Sequence, residues 1–224
     1  MNPLSFLTTV AVSAATAGSI TGPAHAETDP NAQFTLKNAG GMEVRLAADG
    51  ARITALKVPD RAGLLADVVL GHDAVDSYRT SEKKPYLGAT LGRYAGRIAH
   101  GSFTLDGVTH KLAKNNGPNH NHGGLIGFDK VVWKATPGPD RVRFDYRSPA
   151  SEEGYPGNLD VSVTYTLTEE NALSIDYQAT TDRATPAPAF SRSALPADTR
   201  RGPPASAIPC YRIPPPPPIR ISTA

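Results

Sequence analysis

From residue 33 onward, apolar and polar positions alternate in short runs. "QFTLKN", "MEVRLAA" and "ARITALKV" are rich in β-forming residues and are broken by Gly-Gly and Asp-Gly, as expected of strands joined by tight turns. In "GSFTLDGVTHKLA" two strand-like runs flank Asp106-Gly107, a dipeptide suited to a two-residue hairpin turn. "VVWKAT" and "RVRFDYRS" follow across Pro-Gly-Pro-Asp, and Trp133 in the first is read as a core residue. The clearest alternation is in "VSVTYTLTEENALSIDYQATT". There Val161, Val163, Tyr165 and Leu167 share one face of a strand, and Leu173, Ile175 and Tyr177 share one face of the next. Only "DAVDSYRT", 73–80, suggests a short helix. Strands at this spacing, without helical patterns between them, predict an all-β fold, an antiparallel sandwich or barrel. No internal repeat is present.

The pattern stops after Pro186. Residues 187–224 hold ten of the 21 prolines, including a run of five, and five arginines against one acid, Asp198. Such a segment buries too little apolar surface to offset the entropy of ordering, so it is expected to be a disordered tail. Two origins fit its composition. A polyproline stretch can serve an adaptor as a ligand for an SH3-like groove. A tail of Pro, Arg, Ala and Ser is also what a GC-rich gene yields when read out of frame.

Residues 1–26 carry no charged side chain apart from His25, and "AHA" at 24–26 places small residues where a signal peptidase reads. An export signal cleaved after Ala26 is therefore expected, with a periplasmic or secreted product. The bland alternative is an Ala/Ser/Thr-rich disordered N-terminus, because no Lys or Arg precedes the apolar stretch. The run is too short and too polar to span a bilayer. A net charge of only +2 gives no reason to expect a nucleic-acid partner, and the single cysteine, Cys210, excludes an intrachain disulfide.

The candidate chemistry gathers at "NNGPNHNHGG", 115–124, where two histidines stand among asparagines beside a glycine pair. Three segments here resemble one family together: "LGATLGRYAGRIAHGSFTLDG" at 87–107, "NNGPNHNHGGLIGFDKVVW" at 115–133 and "SPASEEGYPGNLDVSVTYTL" at 148–167. In this order and spacing they resemble the aldose 1-epimerases, or galactose mutarotases, over about residues 33–186. The resemblance implies a large antiparallel β-sandwich, incomplete here at its C-terminus. It also implies a hexose substrate such as galactose or glucose, and no metal or organic cofactor. Interconverting the α and β anomers requires a base for the C1 hydroxyl proton and an acid for the ring oxygen, tasks suited to a carboxylate and a histidine.

Residue by residue, the family's "GRxxNR" motif corresponds to "GRYAGR". Arg97 matches its sugar-binding arginine, while Gly96 stands where the family has asparagine. His122 matches the histidine of the family's "HGG". The family's general acid, a histidine in an Asn-His-x-Tyr-Phe-Asn segment, and its later glutamate base have no counterpart, since no histidine follows His122. No catalytic residue is thus identified, and low activity is expected of a chain that is truncated or frameshifted after about residue 186. A different class of reading is a non-catalytic carbohydrate-binding or adaptor protein.

Each candidate also has a plainer interpretation. His120 and His122 could be metal ligands, but His72, His100 and His110 add no ligand spacing, so a metal is not favoured. If the segment is extended, His120 points the same way as His122 and plays a structural or rim role. Arg97 could pair with a surface acid, and Glu152 and Glu153 are read as the start of a turn.

Overall fold

A computed structural model describes residues 28–81 and 86–186. The export signal expected in 1–26 and the tail of 187–224 lie outside the described residues. Twelve strands and one short helix are present among those described: β1 (Gln33–Lys37), β2 (Glu43–Ala47), β3 (Arg52–Pro59), β4 (Leu65–Asp67), α1 (Asp76–Thr80), β5 (Arg97–Ile98), β6 (Ser102–Leu105), β7 (Val108–Lys111), β8 (His120–Asn121), β9 (Lys134–Pro137), β10 (Arg141–Ser148), β11 (Leu159–Leu167) and β12 (Leu173–Thr181).

The strands form two four-stranded antiparallel sheets, ordered β1-β2-β3-β4 and β12-β11-β10-β9, and two small ribbons, β5-β8 and β6-β7. The expected sandwich is what forms. Alternation along β11 puts Val161, Val163, Tyr165 and Leu167 inward, each with at most 3% of its surface exposed. They meet Val44, Leu46 and Ile53 of the other sheet in one core. Phe34 contacts Phe144 across it, ring centroids 5.8 Å apart. On β12 Leu173, Ile175 and Tyr177 pack against the same core, while Ser174, Asp176 and Gln178 face solvent. Trp133 is fully buried and donates its indole N–H to the Phe128 carbonyl at 3.1 Å, so the core reading holds.

The Asp106-Gly107 hairpin also forms. β6 and β7 pair with Leu105 opposite Val108, and both turn residues have positive φ, 49° and 77°, as a type I′ turn demands. The helix expected over 73–80 is confined to Asp76–Thr80, with Tyr78 buried. β4 was not anticipated. It and its flanks leave Leu64, Leu65, Val68 and Leu70 exposed at the outer edge of their sheet.

Candidate functional site

The site is built on the chain between β4 and β9, where β5 and β8 form a two-residue ladder that sets Arg97 opposite Asn121. Arg93 and Arg97, the two arginines of "GRYAGR", have opposite fates. Arg93 is 2% exposed. Its guanidinium donates to Ser148 Oγ at 2.7 Å, and to the carbonyls of Ser148, Pro149, Pro156 and Gly157 at 2.8–3.0 Å. It also reaches Thr185 Oγ1 at 3.2 Å. The Glu152 carboxylate accepts from Ser148 Oγ and, at 2.6 Å, from the Tyr146 hydroxyl, which supplies a counter-charge nearby. Arg93 is therefore an internal tie between loops. Arg97 is exposed and donates from Nε to Asn116 Oδ1 at 3.0 Å. Among the described residues no carboxylate pairs with it, so the surface ion pair weighed as its alternative does not form.

Gly96, Arg97 and His122 come together. The Gly96 N–H donates to His122 Nδ1 at 3.1 Å, and the His122 N–H donates back to the Gly96 carbonyl at 2.9 Å. Because a backbone N–H can only donate, Nδ1 must accept, and the ring proton of neutral His122 sits on Nε2. Burial lowers the pKa of His122, and the charges of Arg97 and Lys130 push it the same way. The result is a neutral imidazole offering one N–H. Tyr86 packs edge-on against the ring, centroids 4.7 Å apart. Gly96 has φ 129°, a conformation that residues with a Cβ adopt only under strain, so the asparagine of the family motif would not fit this backbone unaltered.

The asparagines of the opening motif are its frame. Asn115 donates to the carbonyls of Asn121 and Gly124 at 2.8 and 2.7 Å and accepts from the Asn121 N–H at 2.7 Å. Asn119 Oδ1 accepts from the His100 N–H at 3.2 Å. Both glycines after His122 answer to neighbours. A Cβ on Gly123 would lie 1.5 Å from the Gly92 carbonyl oxygen, and one on Gly124 would lie 2.1 Å from Glu153 Oε2. Glu152 and Glu153 do start a turn, a 3-10 turn at Glu152–Gly154, but both carboxylates also serve as anchors, a role a turn pattern does not reveal.

The extended reading of 120–122 holds only for His120 and Asn121. His122 takes a left-handed φ of 50°, so alternation does not relate the two histidines. His120 is fully buried, its Nδ1 2.7 Å from the Ala113 carbonyl and its Nε2 2.6 Å from the Tyr155 hydroxyl. The carbonyl only accepts, so Nδ1 carries the proton and Tyr155 donates to Nε2. With both nitrogens engaged, His120 is structural. Among the described residues no cluster of three or more metal-ligating side chains occurs, and no helix is long and apolar enough to cross a membrane.

A trough of about 360 Å³ on the outward face of the second sheet lies apart from these residues. Four of its charges pair with one another, Arg143 with Asp145 at 2.8 Å and Arg147 with Asp160 at 3.0 Å.

A two-sheet antiparallel sandwich that carries a neutral imidazole and an exposed guanidinium on a glycine-bounded loop defines the class as an antiparallel β-sandwich protein with hydrogen-bond donors exposed on one loop. The comparisons narrow this class. The family model described as Aldose 1-epimerase matches residues 32–191. The galactose mutarotase of Bos taurus is 50% identical over 145 residues, covering 65% of this chain and 42% of that protein. The aldose 1-epimerase of Escherichia coli K12 is 39% identical over 158 residues, 70% of this chain and 45% of that protein. Among solved structures, the aldose epimerase homologue from C. elegans superposes with a TM-score of 0.65 at 32% identity, covering 69% of this chain and 47% of that one. Galactose 1-epimerase from Lactobacillus acidophilus gives 0.60 at 32% identity, with 71% and 48% covered. The chain belongs to the aldose 1-epimerase family. It spans less than half the length of these curated relatives.

Proposed function

We propose that this chain is the sugar-binding part of an aldose 1-epimerase, taking free hexoses such as galactose and glucose at Arg97 and His122. The observation that carries the reading is the Gly96–His122 pair of hydrogen bonds. It turns a fixed Nε2–H outward beside an arginine with no acidic partner among the described residues. A pyranose offers lone pairs on its ring oxygen and hydroxyls. A neutral N–H donor and a guanidinium orient such oxygens, and their geometry is set before the sugar arrives.

Anomer exchange proceeds when a base takes the C1 hydroxyl proton and an acid protonates the ring oxygen. The ring then opens, the C1–C2 bond turns and the ring recloses. In our reading the acid and base of the family are not supplied by this chain, since no histidine follows His122. Each such group contributes about 10²–10⁴ in rate, so binding persists and mutarotation is slow. Export to the periplasm or outside the cell, through residues 1–26, belongs to the same reading. The mass of the product recovered from an expressing bacterium tests it: cleavage after Ala26 predicts a chain that begins at Glu27, and retention of residues 1–26 would count against export.

The main test pairs galactose titration by NMR with polarimetry of α-D-galactose. Saturable binding, weakened about tenfold by His122→Ala or Arg97→Ala, with a rotation rate at the buffer blank, is expected. A rate well above the blank that His122→Ala abolishes would place proton-transfer groups within this chain and refute the impaired half. Absence of binding would refute the site.

A further inference from the structure

We infer that Glu153 is a positioning residue for His122, acting on it through the glycine pair and the turn at Leu125-Ile126; this deepens, and rests on, the sugar-binding reading. The Glu153 carboxylate accepts from two successive backbone donors, the Leu125 N–H at 3.0 Å and the Ile126 N–H at 2.8 Å. These bonds matter because packing cannot hold the segment, the side chains of Leu125 and Ile126 being 59% and 58% exposed. What fixes this end of the loop is a charge-assisted pair of hydrogen bonds from one side chain.

The carboxylate is held in turn. The Glu153 backbone has a left-handed φ of 51°, costly for a residue with a side chain and kept only where its surroundings insist on it. Its carbonyl accepts from the Ala113 N–H at 3.3 Å. Two residues on, Tyr155 is tied to buried His120. The carboxylate also fills the space a side chain at position 124 would need, so Gly124 and Glu153 fit as a pair. At the other end of the glycine pair, Gly123 presses on the Gly92 carbonyl and His122 is locked to Gly96. Between Gly124 and Phe128, whose N–H returns to the Gly92 carbonyl at 3.2 Å, the Gly127 carbonyl is held by the Lys130 N–H at 2.9 Å, and Leu125 and Ile126 are held by the Glu153 carboxylate. With Leu125 and Ile126 released, the left-handed stretch carrying His122 loses its fixed direction.

Amide exchange on the full chain reads this directly, because the Gly96 N–H reports whether His122 Nδ1 is in place and does not touch Glu153. In Glu153→Ala, exchange at Leu125, Ile126 and Gly96 should quicken by about tenfold or more while the β11 amides stay as in the wild type, and galactose should bind about tenfold more weakly. Glu153→Gln keeps one acceptor oxygen and should fall between. Gly124→Ala, which displaces the carboxylate from the opposite side, should reproduce the Ala result and serves if Glu153→Ala does not fold. Faster exchange at Leu125 and Ile126 with Gly96 unchanged would overturn the inference, since Glu153 would then hold only its own turn. Faster exchange everywhere, β11 included, would overturn it too. If the wild-type chain binds no galactose, the sugar-binding reading fails, and the Gly96 amide alone decides the positioning role.

Discussion

Replacing Arg93 with Met removes every donor of the buried guanidinium while keeping much of its volume. Arg93 donates to four carbonyls and two hydroxyls. The bonds to Ser148 Oγ and to the Ser148 and Gly157 carbonyls are buried, the hydroxyl keeping its own bond to Glu152, whereas those to Pro149, Pro156 and Thr185 are part-buried, where water can replace the lost donor. Two buried acceptors left unpaired cost about 1–3 kcal/mol each. The Glu152 carboxylate, whose attraction raises the Arg93 pKa against the lowering by burial, loses its neighbouring cation. Against this, the variant no longer has to desolvate a guanidinium. The net loss should be about 3–5 kcal/mol, the range for removing one member of a buried charged network, out of about 5–15 kcal/mol for a whole domain. Urea denaturation with fluorescence of the single Trp133 would follow it, with a midpoint drop at constant slope. Arg93→Lys, which keeps the charge but not the fork, should lose an intermediate amount. A loss below about 1 kcal/mol for Met would refute the reasoning, because it would mean that the guanidinium's desolvation cancels all six bonds.

Gly123→Ala should destabilise the fold by about 3 kcal/mol or more, since its Cβ would fall 1.5 Å from the Gly92 carbonyl oxygen at a φ of 89°; a urea midpoint within error of the wild type would contradict this. Acid should weaken the protein between pH 7.5 and 5.5. His120 and His122 have pKa values lowered chiefly by burial, so below the unfolded value of about 6.5 the unfolded chain takes up protons that the folded one refuses. Asp49 and Asp129, raised by burial, act in the opposite sense only as pH falls below their own folded values. Thermal melts at pH 7.5, 6.5 and 5.5 check this, and a flat or rising melting temperature would count against it. Above pH 10 stability should fall again, since buried Tyr165 is pushed up to about 12 and stays neutral while the unfolded tyrosines ionise.

The sheets were legible because β-sandwich strands carry their burial in alternation: Val161 to Leu167 and Leu173 to Tyr177 announce their inner faces residue by residue. The Asp106-Gly107 turn was legible for a local reason, the positive φ at both positions. Three features were not. β5 and β8 are two residues long, too short for any period. Arg52, which opens β3, is buried at 2% and donates to the carbonyls of Leu87 and Asp129, partners that are distant in sequence. The contrast between Arg93 and Arg97 is invisible in "GRYAGR", because what separates them is which loops close over each side chain. At the site, the resemblance singled out Gly96, Arg97 and His122, which do come together. The anchoring by Asn115 and Glu153 depends on backbone donors that no side-chain pattern records. A carboxylate preceding "GYPG" carries no mark that tells a turn from a clamp.

The tie from Arg93 to Thr185 has a mechanical consequence. Just beyond β12, Asp182 accepts from the Asn158 N–H at 2.8 Å and from its side-chain amide at 2.5 Å, and Thr185 meets the guanidinium at 3.2 Å. Tension applied from the C-terminal side of residue 186 would therefore meet two fastenings before it reached the ladder of β11 and β12. The outer strand is secured where the chain leaves it, so a pull from beyond residue 186 would be carried first into the loops around Pro149 and Pro156 rather than into the sheet.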